Sequence, residues 1–229
     1  GHGRGMSQFG ALYLAESGNN YVQILKYYYC DDVSIASSNC SASCQSYGDW
    51  ENWKQFKGDW STVRLSPGTD TLKESGCLIT SYAILLARSA VALSISEFNP
   101  GTFASWLGSN GYIGSSSLFN NQNGALSKLN SNFSVASYNS SSINEVINYL
   151  KNGDLVIVGV NCRKGTPGHY IAIDDIRSKE TNYSTLYIWD PGSSNRSTID
   201  DYNGEICTIK TIKNSDVNYY ENSGYTCST

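Results

Sequence analysis

From Cys77 to about Ala92 the chain is almost wholly apolar, and Leu78, Tyr82, Leu85, Leu86 and Ser89 recur at helical spacing. The pattern predicts a buried central helix. Asn99-Pro100-Gly101 opens a second helix through Trp106 and Leu107, ended by Gly108. Ile143, Val146, Ile147 and Leu150, at i, i+3, i+4 and i+7, predict another before Gly153. The period then changes from helix to strand. Residues 155–160 and 169–173 are continuous apolar runs, 185–189 is a third strand, and 206–212 alternates as a fourth. Ahead of the central helix, residues 52–65 are aromatic and read as extended, followed by a turn at Ser66-Pro67-Gly68. Helices first and a sheet after them make the class α+β, with a central helix packed on an antiparallel sheet.

The N-terminal part is organised differently. Ala11, Leu12, Leu14 and Ala15 suit a short helix from Ser7 to Ser17 with Gly18 as its stop, and a second helix starts near Tyr21. Residues 31–49 carry Ser, Asn, Cys and Asp with little apolar periodicity, so they read as a linker at a domain boundary.

The 229 residues, 40% of them hydrophobic, suffice for one ordinary domain and a smaller appendage. A net charge of −4 provides no basic surface field, so no nucleic-acid partner is expected. No stretch approaches the roughly eighteen apolar residues of a membrane span, and the N-terminus lacks the basic-then-apolar pattern of a secretion signal. The chain is therefore expected to be a piece of something longer or a processed product.

Seven cysteines, at 30, 40, 44, 77, 162, 207 and 227, permit three disulfides and one free thiol. So many cysteines point to an extracellular or wall-associated setting. The close pair Cys40 and Cys44 and the terminal Cys227 suggest stapling of loops and tail, although sequence does not choose the pairing. A zinc site at Cys30, Cys40 and Cys44 is the alternative, without a CxxC pair or a nearby second histidine to support it. No metal or cofactor is expected.

The candidate chemistry gathers around Cys77, which follows Ser75-Gly76 at the start of the apolar helix. Unpaired N–H groups and the positive end of a helix dipole favour a thiolate there, as a nucleophile requires. A buried structural thiol or half of a disulfide is the competing reading. His169 begins the second predicted strand and Asp190 ends the third. A turn over Arg177 to Asn182, centred between 179 and 180, sets the two opposite each other across a hairpin. A carboxylate on one ring nitrogen fixes the imidazole tautomer and leaves the other nitrogen to take a thiol proton. Asp174 and Asp175 are the alternative orienters.

Two resemblances follow from motifs. Gly-His-Gly-Arg-Gly-Met-Ser-Gln-Phe-Gly-Ala, residues 1–11, closely resembles the C-terminal end of the SpoIID family of sporulation proteins, lytic transglycosylases acting on peptidoglycan. That family's catalytic glutamate lies well upstream of the motif, so transglycosylase activity is not expected of this chain. His2 is read as a chain-end packing residue, its other reading being a remnant of a metal or substrate site. Gln55-x-x-x-Asp59-Trp60, Ser75-Gly76-Cys77, the Asn99-to-Leu107 stretch, Gly168-His169-Tyr170 and Asp190-Pro191-Gly192 resemble, in order, the bacterial C39-like peptidases of the papain-like class.

The second resemblance implies a papain-like cysteine peptidase fold, with Cys77 as nucleophile, His169 as general base and acid, Asp190 as orienter and Gln55 as the oxyanion-hole side chain. Together the readings divide the chain into a SpoIID-like remnant (1–30), a disulfide-rich linker (31–49) and a peptidase domain (50–229). They imply a secreted thiol hydrolase acting on a peptide or isopeptide bond, its partner a peptide or peptidoglycan stem peptide. The alternatives are a non-catalytic peptide- or wall-binding module on the same fold and an acyl transferase.

Overall fold

A computed structural model describes residues 47–89, 91 and 93–214. The expected helices before residue 30, His2, and Cys30, Cys40, Cys44 and Cys227 lie outside the described residues, as does all but the last three residues of the expected linker. Tyr47, in that last part, already belongs to the core: its ring meets Phe98 edge-on at 5.3 Å and its hydroxyl donates to the Val91 carbonyl at 2.6 Å.

Six α-helices and five strands occur among the described residues. The helices are α1 (Leu72–Ser75), α2 (Cys77–Arg88), α3 (Pro100–Ser109), α4 (Gln122–Leu129), α5 (Ile143–Lys151) and α6 (Asp175–Glu180). The strands are β1 (Phe133–Tyr138), β2 (Leu155–Val160), β3 (His169–Ile173), β4 (Ile188–Trp189) and β5 (Thr208–Asn214). They form one antiparallel sheet in the order β1-β5-β2-β3-β4. The α+β class and the central helix on an antiparallel sheet are thus observed, consistent with a papain-like fold.

The sheet is covered on both sides, which explains why β2 reads as an unbroken apolar run with all six residues buried. Leu155, Ile157, Ala172 and Ile212 face a core built on α2, α3 and α4. Val156, Val158, Val160, Ile171 and Ile173 face a second cluster with Val146 and Leu150 of α5. Helix α2 is buried from Ile79 to Ala87, beyond the single stripe its spacing suggested. Full burial of each of Ile84, Leu85 and Leu86 contributes about 1.5–3 kcal/mol, which makes α2 the main anchor of the helical layer. Helix α3 starts as its sequence predicts: Asn99 accepts from the backbone N–H groups of Gly101 and Thr102 at 2.8 and 3.0 Å, and Pro100 occupies the first turn.

Several local expectations are corrected. Residues 52–65 are not extended; 3₁₀ turns at Trp50–Asn52 and Asp59–Thr62 replace a strand. Aromatic content mimicked β propensity, but the rings serve to pack, Trp50 edge-on to Trp189 at 5.0 Å, and Gly58 at φ 72° turns the chain. The third strand shrinks to two residues, because residues 186–188 pair outward with 197–199. The Arg177–Asn182 turn is largely α6, capped by Asp174, whose Oδ1 accepts from the Arg177 N–H. Strand β1 and helix α4 were not anticipated.

The hydroxyl of Tyr82 is fully buried without a hydrogen-bond partner among the described residues. Tyr82→Phe removes a desolvated group and keeps the ring on Phe119. The variant is expected to be unchanged or up to about 1 kcal/mol more stable, a rise of about 2–4 °C in Tm by calorimetry. A fall of several degrees would mean that the hydroxyl is satisfied.

Candidate active site

Two segments converge at one end of the sheet. Thr71 and Glu74 form a reciprocal capping box that starts α1, and the Gly76 N–H closes α1 on the Leu72 carbonyl at 2.8 Å. A Cβ on Gly76 would lie 2.2 Å from that carbonyl oxygen, so only glycine allows α1 to run directly into α2. Cys77 is then the first residue of α2, half-buried and unpaired in any disulfide. No side chain caps this helix end, so its first N–H groups keep donors to spare.

From the sheet side, His169 opens β3 opposite Val160. Its Nε2 meets Asp190 Oδ1 at 2.7 Å, and the Cys77 side chain lies close enough to the ring to act on its titration. With Nε2 on the carboxylate, Nδ1 is the nitrogen left for sulfur. The sequence-based register is corrected by two residues. Ala172 pairs with Trp189 and Ile173 with Ile188, so His169 stands opposite Gly192, and Asp190 is its diagonal neighbour. The connection holds a helix, which moves the centre of the hairpin along by one residue. A shift of two preserves the face, so the imidazole and the carboxylate still meet. Gly192 makes this possible, since a Cβ there would lie 2.6 Å from His169 Cε1.

Asp190 is fully buried and fully bonded. Oδ1 accepts from His169 and from the Gly192 N–H at 2.8 Å, and Oδ2 accepts from the Tyr202 hydroxyl. Burial opposes its ionisation, yet the bonds from His169 and Tyr202, the His169 charge and the Gly192 N–H hold the carboxyl below the usual carboxylate range. For His169, burial favours the neutral ring, but the bonds to Asp190 and Cys77 and the charges of both outweigh it and raise the pKa to about 9. Asp174 and Asp175 are engaged elsewhere, with Arg177 and with Arg88 respectively.

Gln55 is carried to the junction of the two segments. Its backbone N–H donates to the Pro191 carbonyl at 2.9 Å, and its side-chain Nε2 donates to the Lys73 carbonyl of α1 at 2.8 Å. Lys54 beside it donates from Nζ to the Asp190 carbonyl at 2.6 Å. One amide hydrogen of Gln55 is used on α1, in the segment that leads into Cys77, and the second has no acceptor among the described residues. Tyr202 and Lys54 were not anticipated. Tyr202 comes from a 3₁₀ turn with no motif of its own, and its only sequence signal is a tyrosine about a dozen residues past Asp190. The guanidinium of Arg196 lies over its ring, 4.2 Å from the centroid.

A thiol at a helix start, an imidazole on it and a buried carboxylate behind the imidazole can together perform nucleophilic attack on a carbonyl. Residues 49–228 match the model of the Peptidase_C39 like family. The chain belongs to that family. No curated protein and no solved structure matches it. The family thus carries the α+β domain and its peptidase class, and the described site lies wholly within the matched residues. Cys162 and Cys207 form a disulfide that ties the β2–β3 connection to the start of β5. Among the described residues no three His, Cys, Asp or Glu side chains gather as a metal site would need.

Tyr202→Phe leaves Asp190 Oδ2 buried without its donor. The expected loss of stability is about 1–3 kcal/mol. The depressed Asp190 pKa contributes stability above the ordinary carboxylate pKa of about 3.9, and this is lost as pH falls through the lower folded value. Removing the hydroxyl raises the folded value, so the acid-unfolding midpoint should move to higher pH. An unchanged midpoint by circular dichroism would show that Tyr202 does not hold the carboxylate.

Proposed function

We propose that this chain is a secreted thiol hydrolase that cleaves a peptide or isopeptide bond, in cell-wall peptide or a secreted protein, with Cys77 as nucleophile. The observation that carries the reading is the pairing of His169 with buried Asp190 at 2.7 Å, with the Cys77 thiol beside the same imidazole. His169 takes the thiol proton, and the resulting sulfur anion attacks the substrate carbonyl carbon. Negative charge moves to the carbonyl oxygen, where the N–H groups at the start of α2 and the second amide hydrogen of Gln55 are the proposed donors. His169 then gives its proton to the leaving amine, and the C–N bond breaks to leave a thioester. Water, deprotonated by His169, attacks the thioester and releases the acid and the thiol. Asp190 holds the ring and stabilises its charged form throughout.

The Cys162–Cys207 disulfide supports an oxidising, extracellular setting. The SpoIID-like motif in residues 1–11 supports wall peptide as the substrate, and on this reading residues 1–30, 31–49 and 50–229 are remnant, linker and peptidase domain.

Turnover of a peptide library, including cross-linked wall peptides, tests the proposal. Cys77→Ala should abolish it, Asp190→Ala should lower it by about 10²–10⁴ and Gln55→Ala by about 10²–10³. In the parent, kcat/KM should fall on the alkaline side near pH 9 as His169 loses its proton, and Asp190→Ala should bring that limb toward neutral pH. Full activity of Cys77→Ala would overturn the nucleophile, and an unchanged Asp190→Ala enzyme would overturn the orienter.

A further inference from the structure

Lys210 has no role in the chemistry above, yet it sits on the Cys77 side of the sheet. It lies on β5, paired across the sheet with Ser137 of β1 and Ile157 of β2, in a row whose side chains face α2. The residue is 7% exposed. Its ammonium donates to Gln122 Oε1 at 3.0 Å and to Ser137 Oγ at 2.9 Å, and lies 5.7 Å from the centre of the Tyr170 ring. These acceptors are neutral, and an ammonium has a third hydrogen. No carboxylate among the described residues pairs with it, and burial alone acts on its titration, pulling the pKa below the ordinary lysine value. A buried cation without a counter-ion is destabilising unless something else uses its charge.

Tyr170 connects this cation to the thiol. It follows His169 directly, its carbonyl accepts from the Ser81 hydroxyl, one turn along α2 from Cys77, at 3.2 Å, and its ring lies against the Lys210 ammonium. Around the ammonium, Tyr170 and Gln122 are half-buried and Ser137 is exposed, so the charge is buried next to residues that reach the surface. The Ser137 hydroxyl accepts from Lys210 and keeps its own hydrogen to donate. A planar anion resting there would receive the third ammonium hydrogen and the serine hydroxyl together, a pairing suited to a carboxylate.

We infer that Lys210, with Ser137 and Gln122, forms a subsite beside the reactive thiol that selects substrates carrying a free carboxylate close to the scissile bond. The inference rests on the reading of Cys77 as nucleophile. Two kinds of residue carry such a carboxylate: an α-linked acidic residue, through its side chain, and a γ-linked glutamyl residue, through its free α-carboxylate.

The rate at which peptidyl chloromethyl ketones label Cys77 in the full chain tests this without requiring turnover. Matched reagents carry Glu or Gln at each position in turn, and a third set carries γ-linked glutamate to separate the two sources. At one position the acidic reagent should react about 10- to 100-fold faster than its amide counterpart. Lys210→Met should abolish that preference, Lys210→Arg should retain it, and Lys210→Glu should transfer it to a lysine-bearing reagent. Thermal unfolding checks that each variant is folded, and the preference of the parent chain stands as a measurement on its own. Equal rates for acid and amide at every position, with Cys77 still labelled by iodoacetamide, would overturn the subsite and leave the nucleophile standing. A preference that persists in folded Lys210→Met would also overturn it. Failure of iodoacetamide itself to label Cys77 would overturn the nucleophile, and the subsite with it.

Discussion

A carboxylate excluded from water must find donors for both of its oxygens, and the fold around Asp190 is arranged to meet that demand. Its donors come from separate segments: the start of β3, the turn after β4, and the 3₁₀ turn that carries Tyr202. The adjoining backbone is held as well, with Lys54 on the Asp190 carbonyl and the Gln55 N–H on that of Pro191. Satisfying one buried ion therefore ties the sheet to the segment that precedes the central helix. Gln55 extends the tie to α1 through the Lys73 carbonyl, and α1 leads through Gly76 to Cys77. The imidazole is held between two groups that both favour its charged form.

How legible this was depended on how far each feature relied on local periodicity. The apolar run after Cys77, the i, i+3, i+4 pattern from Ile143 and the continuous run from Leu155 all became elements close to their expected bounds, because burial on one or both faces dictates such patterns. The pairing of His169 with Asp190 was legible for a weaker reason. The assumed register was wrong by two residues, but an even error leaves side chains on the same face, and glycine at 192 leaves room for the diagonal approach.

The features that escaped the sequence reading lack periodic signal. Strand β1 is an edge strand whose outer residues are largely exposed, so its alternation is weak. Helix α4 is polar, carries Gly124, and starts from Asn121 in the left-handed region at φ 46°. Helix α6 is a short charged segment that composition assigns equally well to a turn. Tyr202 and Lys54 reach Asp190 through tertiary contacts alone, with no spacing that names them. Lys210 is the opposite case: its alternating strand was legible, but nothing in that strand distinguishes a buried lysine without a counter-ion from a solvated one.

The central claim is that His169 is held as an imidazolium between Cys77 and Asp190, and the sequence offers a direct way to observe it. The chain has two histidines, His2 and His169, so ring ¹⁵N spectra of histidine-labelled protein can be assigned with a single His2→Ala variant. The account predicts that His169 carries protons on both nitrogens at neutral pH and titrates near pH 9, and that Cys77→Ala and Asp190→Asn each lower that value. A His169 ring that titrates near the ordinary histidine value of about 6.5, and does not respond to either substitution, would contradict it.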